Sequence, residues 1–182
     1  MAVRWFTEKP SELLNRKDRE MRDIVVPAIA RRAASVLKDD IKDLTPIGVK
    51  WTILGDTAPI SRPSGELQRS IRVTSKGHWE RLEGFRAYKV VVETRKHYAN
   101  WVEYGTSPHI IHPKYANGAM QFVVGGKIVF SKSVHHPGTK GVHMFSRGVN
   151  RTQRKIKLIA EPILSTWASD NKIRINSLRL VS

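Results

Sequence analysis

Histidine is the residue type in this sequence with the clearest capacity for metal chemistry. Five of the seven histidines fall between residues 109 and 143. Zinc needs three or four ligands that converge tetrahedrally, often with a carboxylate nearby. His109 and His112 lie in a stretch of extended character, which sends residues three apart to opposite faces. No Asp or Glu occurs from Thr106 to Ala160. We therefore predict no metal site and interpret these histidines as packed loop residues.

Nucleophilic catalysis has even less support in the sequence. Cysteine is absent, and neither a Gly-x-Ser-x-Gly elbow nor a phosphate-binding Walker loop occurs. The paired acids Asp39 and Asp40 stand among charged residues and are interpreted as a solvated helix face. We predict no catalytic residues and no cofactor. A small metal-dependent hydrolase stays open as an alternative that rests only on the histidines.

The charge of the chain is strongly positive and unevenly distributed. Thirty-two Lys and Arg residues against sixteen Asp and Glu give a formal net charge of +16. Residues 105–182 contain twelve of the bases and only two of the acids. Such a surface attracts polyanions, either nucleic acid or an acidic protein face. A sequence-independent nucleic-acid-binding module is therefore the main alternative function, although a basic surface also serves solubility alone.

The apolar spacing in the first quarter of the chain predicts a helix over 11–43, with Ser11 as its N-cap. Pro27 should kink this helix or divide it into two abutting ones. The following residues predict strands over 49–54, 71–74 and 88–94. Residues 59–65 are interpreted as a turn-rich segment, and residues 66–71 as a short amphipathic element.

The clearest local pattern is a β-hairpin whose strands, Met120–Val124 and Lys127–Ser131, flank Gly125-Gly126. We expect it to join the core sheet. A final helix is predicted over 145–167, bent by Pro162. Its apolar stripe consists of Phe145, Val149, Ile156, Ile159, Ile163 and Trp167. The basic residues on the opposite side, predicted to face DNA or an acidic partner, are Arg147, Arg151, Arg154 and Lys155.

Together these elements predict an α+β fold with an N-terminal kinked helix, a small antiparallel sheet and a C-terminal amphipathic helix. We expect one domain over 1–182 with its core in about 11–168. Residues 169–182 alternate in polarity and could contact a neighbouring subunit. No apolar run approaches the roughly 20 residues of a membrane span, and the N-terminus lacks an apolar signal core. We expect a soluble protein made in the cytoplasm, without a membrane partner.

Three stretches, at Pro63–Ile71, His97–Thr106 and His136–Lys140, resemble motifs of one family, the neck and tail-completion proteins of long-tailed bacteriophages. Pro63–Ile71 is similar to that family's Pro-x-x-Thr-Gly-x-Leu-x-x-Ser-Ile element, with Ser64 in the place of Thr. His97–Thr106 is similar to its Tyr-Ala-x-Tyr-Val-Glu-Phe-Gly-Thr run. His136–Lys140 resembles its His-Pro-Gly-Thr-Lys loop before the closing helix, where Met144 replaces a proline. The matching residues given a structural role are Gly65, Leu67, Ser70, Trp101, Glu103, Tyr104, Gly105, Thr106, His136, Pro137 and Gly138.

The resemblance implies a non-enzymatic virion protein of the neck or tail top. It implies a homo-oligomeric ring that completes the tail and joins it to the head connector. The implied partners are further copies of the chain, connector or head-completion proteins, and tail-terminator or tail-tube proteins. Genomic DNA passing through the ring is a further implied contact, and residues 172–182 are expected to matter more for assembly than for folding.

Overall fold

The computed structural model describes residues 16–52, 60–74, 76–82, 85–115 and 118–171. These residues divide into two compact units. Unit 1 takes its residues from 1–40, 72–93 and 148–182, and unit 2 from 41–71 and 94–147. The prediction of a single domain over 1–182 stays a prediction. Ser11, the residues Ile53 and Leu54, and the alternating segment 172–182 lie outside the described residues.

The N-terminal helix is interrupted by a π turn next to its proline. Residues 16–20 are helical, Met21–Val25 form the π turn, and helix α1 follows over Val26–Leu44. The Val26 N–H bonds to the Met21 carbonyl, five residues back. Pro27 has no N–H to donate and cannot continue an ordinary helical ladder. The predicted disturbance at Pro27 therefore takes the form of a π turn immediately before it.

Unit 1 contains most of α1, two short antiparallel pairs of strands and most of the last helix. The strands are β3 (Arg72–Val73) with β6 (Val92–Glu93), and β4 (His78–Leu82) with β5 (Phe85–Lys89). Arg31 of α1 donates to the Tyr88 hydroxyl at 2.8 Å and to the Lys76 carbonyl at 2.8 Å. The buried apolar side chains of this unit are Val25, Ala34, Ile159, Ala160 and Ala168.

Unit 2 contains two short helices and the remaining strands. Helix α2 spans Glu66–Ser70 and helix α3 spans Ala99–Tyr104. The strand pairs are β1 (Val49–Thr52) with β2 (Ile60–Pro63), β7 (Gly105–Thr106) with β12 (Thr139–Lys140), β8 (His109–Ile111) with β11 (Val134–His136), and β9 (Met120–Val124) with β10 (Lys127–Ser131). Its buried apolar side chains are Ile41, Leu67, Ile71, Ala99 and Met144.

Helix α4 spans Met144–Asp170 and contains Pro162. The division between the units falls inside this helix, before Gly148. Of the predicted apolar stripe, Ile159 is buried, but Val149 and Ile156 are 44% and 38% exposed. Thr152 and Gly148 are buried instead. The buried face is therefore rotated toward Thr152 relative to the predicted stripe.

The α+β class is confirmed, with an N-terminal helix, antiparallel strands and a C-terminal helix. The described strands, however, form six separate two-stranded pairs rather than one small sheet. The prediction that the Gly125-Gly126 hairpin joins a core sheet is wrong, because β9 and β10 pair only with each other among the described strands. Among the described helices, none has an apolar stretch long enough to cross a bilayer.

Two strand assignments also need correction. Residues 60–63, interpreted as a turn, form β2 opposite β1. The predicted strand 88–94 is two strands, β5 and β6, which pair with different partners. Val90, Val91 and Val92 all favour strands. The sequence alone therefore does not show where the chain stops pairing with β4 and starts pairing with β3.

Candidate functional site

Two of the three motif segments meet in unit 2 through their backbones. Strand β7 pairs with β12, so that Thr106 lies opposite Thr139. The Thr139 N–H donates to the Thr106 hydroxyl at 3.1 Å. Beyond the strands, the Val142 N–H donates to the Val102 carbonyl at 2.8 Å. The run His97–Thr106 and the loop His136–Lys140 are therefore halves of one structural feature, here called the motif frame.

Glycine is required where the two halves of the motif frame approach each other. A Cβ atom on Gly105 would stand 2.2 Å from the Thr139 carbonyl oxygen. A Cβ on Gly138 would stand 2.3 Å from the Thr106 carbonyl oxygen. Both glycines also have positive φ, 82° and 86°, a region that side chains rarely adopt. Any side chain at either position would push the two backbones apart.

Glu103 joins the motif frame to the start of helix α4. Its carboxylate accepts hydrogen bonds from the Phe145 N–H at 2.8 Å and from the Ser146 N–H at 3.1 Å. The Ser146 hydroxyl donates to the same carboxylate at 2.8 Å. These N–H groups belong to the first turn of α4 and have no partner inside the helix. Glu103 therefore caps a helix that begins 41 residues later in the chain than itself, at Met144.

The environment of Glu103 stabilises its charged form. Glu103 is 4% exposed, and this burial alone would raise the pKa of its carboxyl group. The hydrogen bonds from Phe145 and Ser146, with a smaller contribution from the charge of His143, outweigh burial and hold the pKa below its ordinary value. The positive end of the helix dipole acts in the same direction. The buried carboxylate is consequently a permanent structural anion near neutral pH.

The third motif segment, Pro63–Ile71, forms the start of helix α2. Gly65 precedes the helix with φ 54°, and Leu67 is buried at 5% exposure. The Ser70 hydroxyl lies 2.6 Å from the Thr94 hydroxyl and also donates to the Leu67 carbonyl. Leu67 thus has a packing role and Ser70 a hydrogen-bonding role within unit 2.

The outer side of the motif frame carries two aromatic side chains. Trp101 and Tyr104 lie three residues apart on α3, and are 58% and 72% exposed. Residues at this spacing share one face of a helix. The His97 ring meets the Trp101 ring edge to face, with centroids 5.9 Å apart. The frame fixed by Glu103 and the glycines thereby presents these two side chains, here called the aromatic pair, to the surroundings.

The histidines form a ring contact rather than a converging set of ligands. His109 and His136 lie opposite each other in the β8–β11 pair, with their rings stacked at 5.0 Å. The Gly138 N–H donates to His136 Nδ1 at 3.0 Å, which uses one ring nitrogen within the loop. Within the described ranges, no three His, Asp or Glu side chains lie close enough to hold a metal ion.

The basic residues predicted on one side of α4 do not share one environment. Lys155 Nζ lies 2.6 Å and Arg151 Nε 3.4 Å from the same oxygen of Asp40. Both therefore reach toward a buried acid of α1, and the prediction that they lie opposite the buried face is wrong. Arg147 reaches the Val142 carbonyl at 3.5 Å, and Arg154 is exposed.

The interpretation of Asp40 as a solvated residue is also wrong. Asp40 is 3% exposed, and its second oxygen accepts from the Thr152 hydroxyl at 2.9 Å. Burial acts to raise the pKa of Asp40, but the bonds from Lys155 and Thr152 and the nearby cations lower it below its ordinary value. A helical-phase signal for this burial exists in the sequence, because Asp40 follows Val36 and Leu37 at spacings of four and three.

Comparison with known proteins gives the family. A family model described as "Bacteriophage HK97-gp10, putative tail-component" matches residues 12–105, slightly more than half of the chain. The chain belongs to the HK97-gp10-like family. The match covers helix α1, the Pro63–Ile71 segment and the aromatic pair, and it ends at Gly105 of the motif frame. Searches of curated proteins and of solved structures each returned no match. The protein is accordingly a structural component of a phage tail, and its place is the virion.

Proposed function

We propose that this tail component is a tail-completion protein, which forms a ring at the top of the tail and joins it to the head connector. The observation that carries the proposal is the exposed aromatic pair, Trp101 and Tyr104, held by the motif frame. Family membership supports a tail component in general. The resemblance of the motif segments to neck and tail-completion proteins supports the more specific position.

The aromatic pair has the properties of an interface centre. Trp and Tyr contribute disproportionately to the binding energy of protein interfaces, because they bury a large area with few rotatable bonds. Their helix is only six residues long, but Glu103 and the β7–β12 pair fix its C-terminal end. A partner that binds a preformed surface loses less conformational entropy on association. Such a contact generates a ring when it joins two different surfaces of neighbouring copies and the rotation from one copy to the next adds up to a full circle.

The proposed partners are further copies of this chain within the ring. On its two sides the ring would contact connector or head-completion proteins and tail-terminator or tail-tube proteins. We also propose that the protein has no catalytic activity, since the chain lacks Cys and has no acid from Thr106 to Ala160. Elemental analysis that finds about one metal ion per chain, lost on His136→Ala substitution, would contradict this part.

The experiment compares the double variant Trp101→Ala, Tyr104→Ala with the single variant Tyr115→Ala. Tyr115 is a matched control, because it is 72% exposed in the same unit and lies outside the motif segments. We expect the double variant to keep the circular dichroism spectrum of the parent and to lose the ring mass in native mass spectrometry. Complementation of a phage that lacks the gene should fall by several orders of magnitude. Normal assembly of the double variant would refute the proposed role of the aromatic pair.

Contact with passing DNA is a second function favoured by a specific observation. The acid-free stretch from Thr106 to Ala160 carries exposed bases in unit 2 at Lys114, Lys127, Lys132, Lys140 and Arg147. We propose that this surface, rather than Arg151 and Lys155, provides most of the contact with phosphates, because Asp40 already neutralises part of the charge of those two. Such contacts are indifferent to base sequence.

Salt dependence of DNA binding tests this second function. Replacing Lys114, Lys132 and Lys140 with Gln should weaken duplex binding and reduce the slope of log K against log salt by about 0.9 for each phosphate that is no longer bound. Arg22→Gln is the control, since Arg22 is exposed in unit 1 and paired with Asp23 at 2.7 Å. An equal effect of both changes, or no duplex binding even at low salt, would rule out DNA contact by this surface.

A further inference from the structure

We propose that the β9–β10 hairpin pairs edge to edge with the same hairpin of neighbouring copies, so that one continuous antiparallel sheet runs around the ring. The proposal rests on the ring of the proposed function and names the contact that would close it. It concerns Met120–Val124 and Lys127–Ser131, a segment outside the three motif segments and outside the family match.

Both edges of the hairpin are open among the described strands. The register is continuous over five residue pairs, from Val124 opposite Lys127 to Met120 opposite Ser131. In a hairpin with a two-residue turn, alternate residues direct their N–H and C=O groups away from the partner strand. On β10 these outward groups belong to Ile128 and Phe130, and on β9 to Gln121 and Val123. Neither strand has another described strand beside it.

Both faces of the hairpin carry exposed apolar side chains. On one face, Ile128 and Phe130 are 40% and 66% exposed. On the other, Val129 and Val124 are 44% and 64% exposed. A strand pair that covers a core is normally apolar on one face and polar on the other. An isolated two-stranded hairpin is also only marginally stable in water. This composition therefore fits a hairpin that becomes part of a wider sheet.

The hairpin lacks the features that keep strand edges apart in monomeric proteins. No proline and no bulge interrupts either strand, and the only charged residue in the two strands is Lys127 at the turn. Edge strands are usually protected by proline, bulges or charges pointing into the edge. An unprotected apolar edge of five residues is a template for pairing with another strand.

Copies of the same hairpin, one on each side, satisfy both edges. When β10 of one copy lies beside β9 of the next, the strands alternate in direction around the ring and every edge is used. Adjacent Lys127 side chains would then be about two strand spacings apart, roughly 9.6 Å. That distance exceeds the Debye length of about 8 Å at physiological salt, so their repulsion is largely screened. An acidic partner strand would satisfy only one edge and leave the other open.

The test uses the absence of native cysteine. Two single-cysteine chains, Gln121→Cys on β9 and Phe130→Cys on β10, are co-expressed with different affinity tags and treated with a thiol crosslinker about 8 Å long. This length spans an offset of about two residues along a strand. We expect crosslinked dimers that contain both tags to outnumber those with one tag, because the two unlike cysteines lie on adjacent strands whereas like cysteines lie two strand spacings apart. Native mass spectrometry of the same sample reports whether the ring is present.

Each result decides the proposal in a different way. Mixed dimers in a sample with ring mass support it. A ring without mixed dimers overturns the hairpin contact and leaves the proposed function intact. An excess of single-tag dimers over mixed dimers means that like edges pair, which overturns the head-to-tail arrangement. Absence of ring mass overturns the ring of the proposed function and the hairpin contact together.

Discussion

At the scale of single residues, two buried carboxylates hold different parts of helix α4. In unit 2, the Glu103 carboxylate accepts hydrogen bonds from N–H groups in the first turn of α4. In unit 1, the Asp40 carboxylate accepts hydrogen bonds from the Thr152 hydroxyl and the Lys155 ammonium group. Buried charges are tolerated only when hydrogen bonds and opposite charges replace the water that burial removes. Each carboxylate has such partners on both of its oxygens, so the removal of either should be costly.

We predict that Glu103→Gln lowers the free energy of unfolding by about 2 kcal/mol, in the range for hydrogen bonds to a charged group. The glutamine amide keeps one oxygen that can accept a hydrogen bond. Its NH2 group, however, is a donor that faces another N–H donor in the first turn of α4. Amide exchange at Phe145 and Ser146 should accelerate, measured by hydrogen–deuterium exchange. Glu66→Gln is the control, since its pair with Lys96 is exposed and should contribute under about 1 kcal/mol. Equal losses in both variants would contradict the capping role.

The two carboxylates also predict an acid sensitivity. The pKa of Glu103 lies below the ordinary 4.5 and that of Asp40 below the ordinary 3.8 in the folded chain. A lowered folded-state pKa stabilises the protein above the unfolded pKa, and this contribution is lost as pH falls through the folded value. Urea unfolding should therefore show stability falling below about pH 4.5. The slope should be smaller in Glu103→Gln, and an unchanged slope would exclude Glu103 as a source.

Asp40 and its neighbour Asp39 form a natural matched pair. We expect Asp40→Asn to destabilise the protein by about 1–2 kcal/mol, because Lys155 and Arg151 lose their buried counter-charge but stay partly hydrated. Asp39 is 63% exposed and pairs with Lys38, so Asp39→Asn should cost less than about 1 kcal/mol. Thermal melting of both variants checks the difference. The same melting temperature for both would show that burial of Asp40 contributes nothing.

Sequence patterns identified Glu103 but not its role. The resemblance selected it within the motif run, whereas its function as a helix cap depends on a contact 42 residues away in sequence. Asp40 was assigned to the solvated face because charged residues surround it. Its helical phase with Val36 and Leu37 pointed inward, but only the packed structure supplies the Thr152 and Lys155 partners.

At the scale of elements, the sequence predicts a turn or a helix start correctly where the local residue preferences are strong. Gly125-Gly126 forms the predicted turn with both φ values positive, and the closing helix begins within one residue of the predicted start. Where successive residues all favour extended backbone, as at Val90-Val91-Val92, strand pairing in the folded chain determines where β5 ends and β6 begins. The short pair β7–β12 could not be predicted from propensity, because two-residue strands carry almost no periodic signal.

The glycines provide the sharpest prediction at this scale. Gly105 and Gly126 have nearly the same φ, 82° and 79°, but a Cβ on Gly126 would meet no atom within 4 Å. Gly126→Ala should therefore cost only the backbone strain, about 1 kcal/mol. Gly105→Ala adds a clash with the Thr139 carbonyl and a backbone region that is essentially limited to glycine, because ψ at Gly105 is −172°. It should cost at least about 2 kcal/mol more. Chemical denaturation compares them, and similar losses would show that β7 and β12 do not need their close approach.

At the scale of the whole molecule, composition indicated the polyanion-attracting charge, and the succession of motifs indicated the family. The family match confirms a phage tail component. Close backbone approach and hydrogen bonding within unit 2 explain the residue types at Gly105, Gly138 and Glu103. In the proposed function and the further inference, the exposed aromatic pair and the exposed β9–β10 hairpin are the surfaces that contact other chains.

In the proposed function, this tail component forms a ring at the head-proximal end of the tail. The position of this chain is measured most directly by electron cryo-microscopy of assembled particles in which a small tag is fused to it. We predict rotationally symmetric extra density between the head connector and the first ring of the tail tube. Tag density repeated along the tube, or confined to the distal tip, would contradict the proposed position.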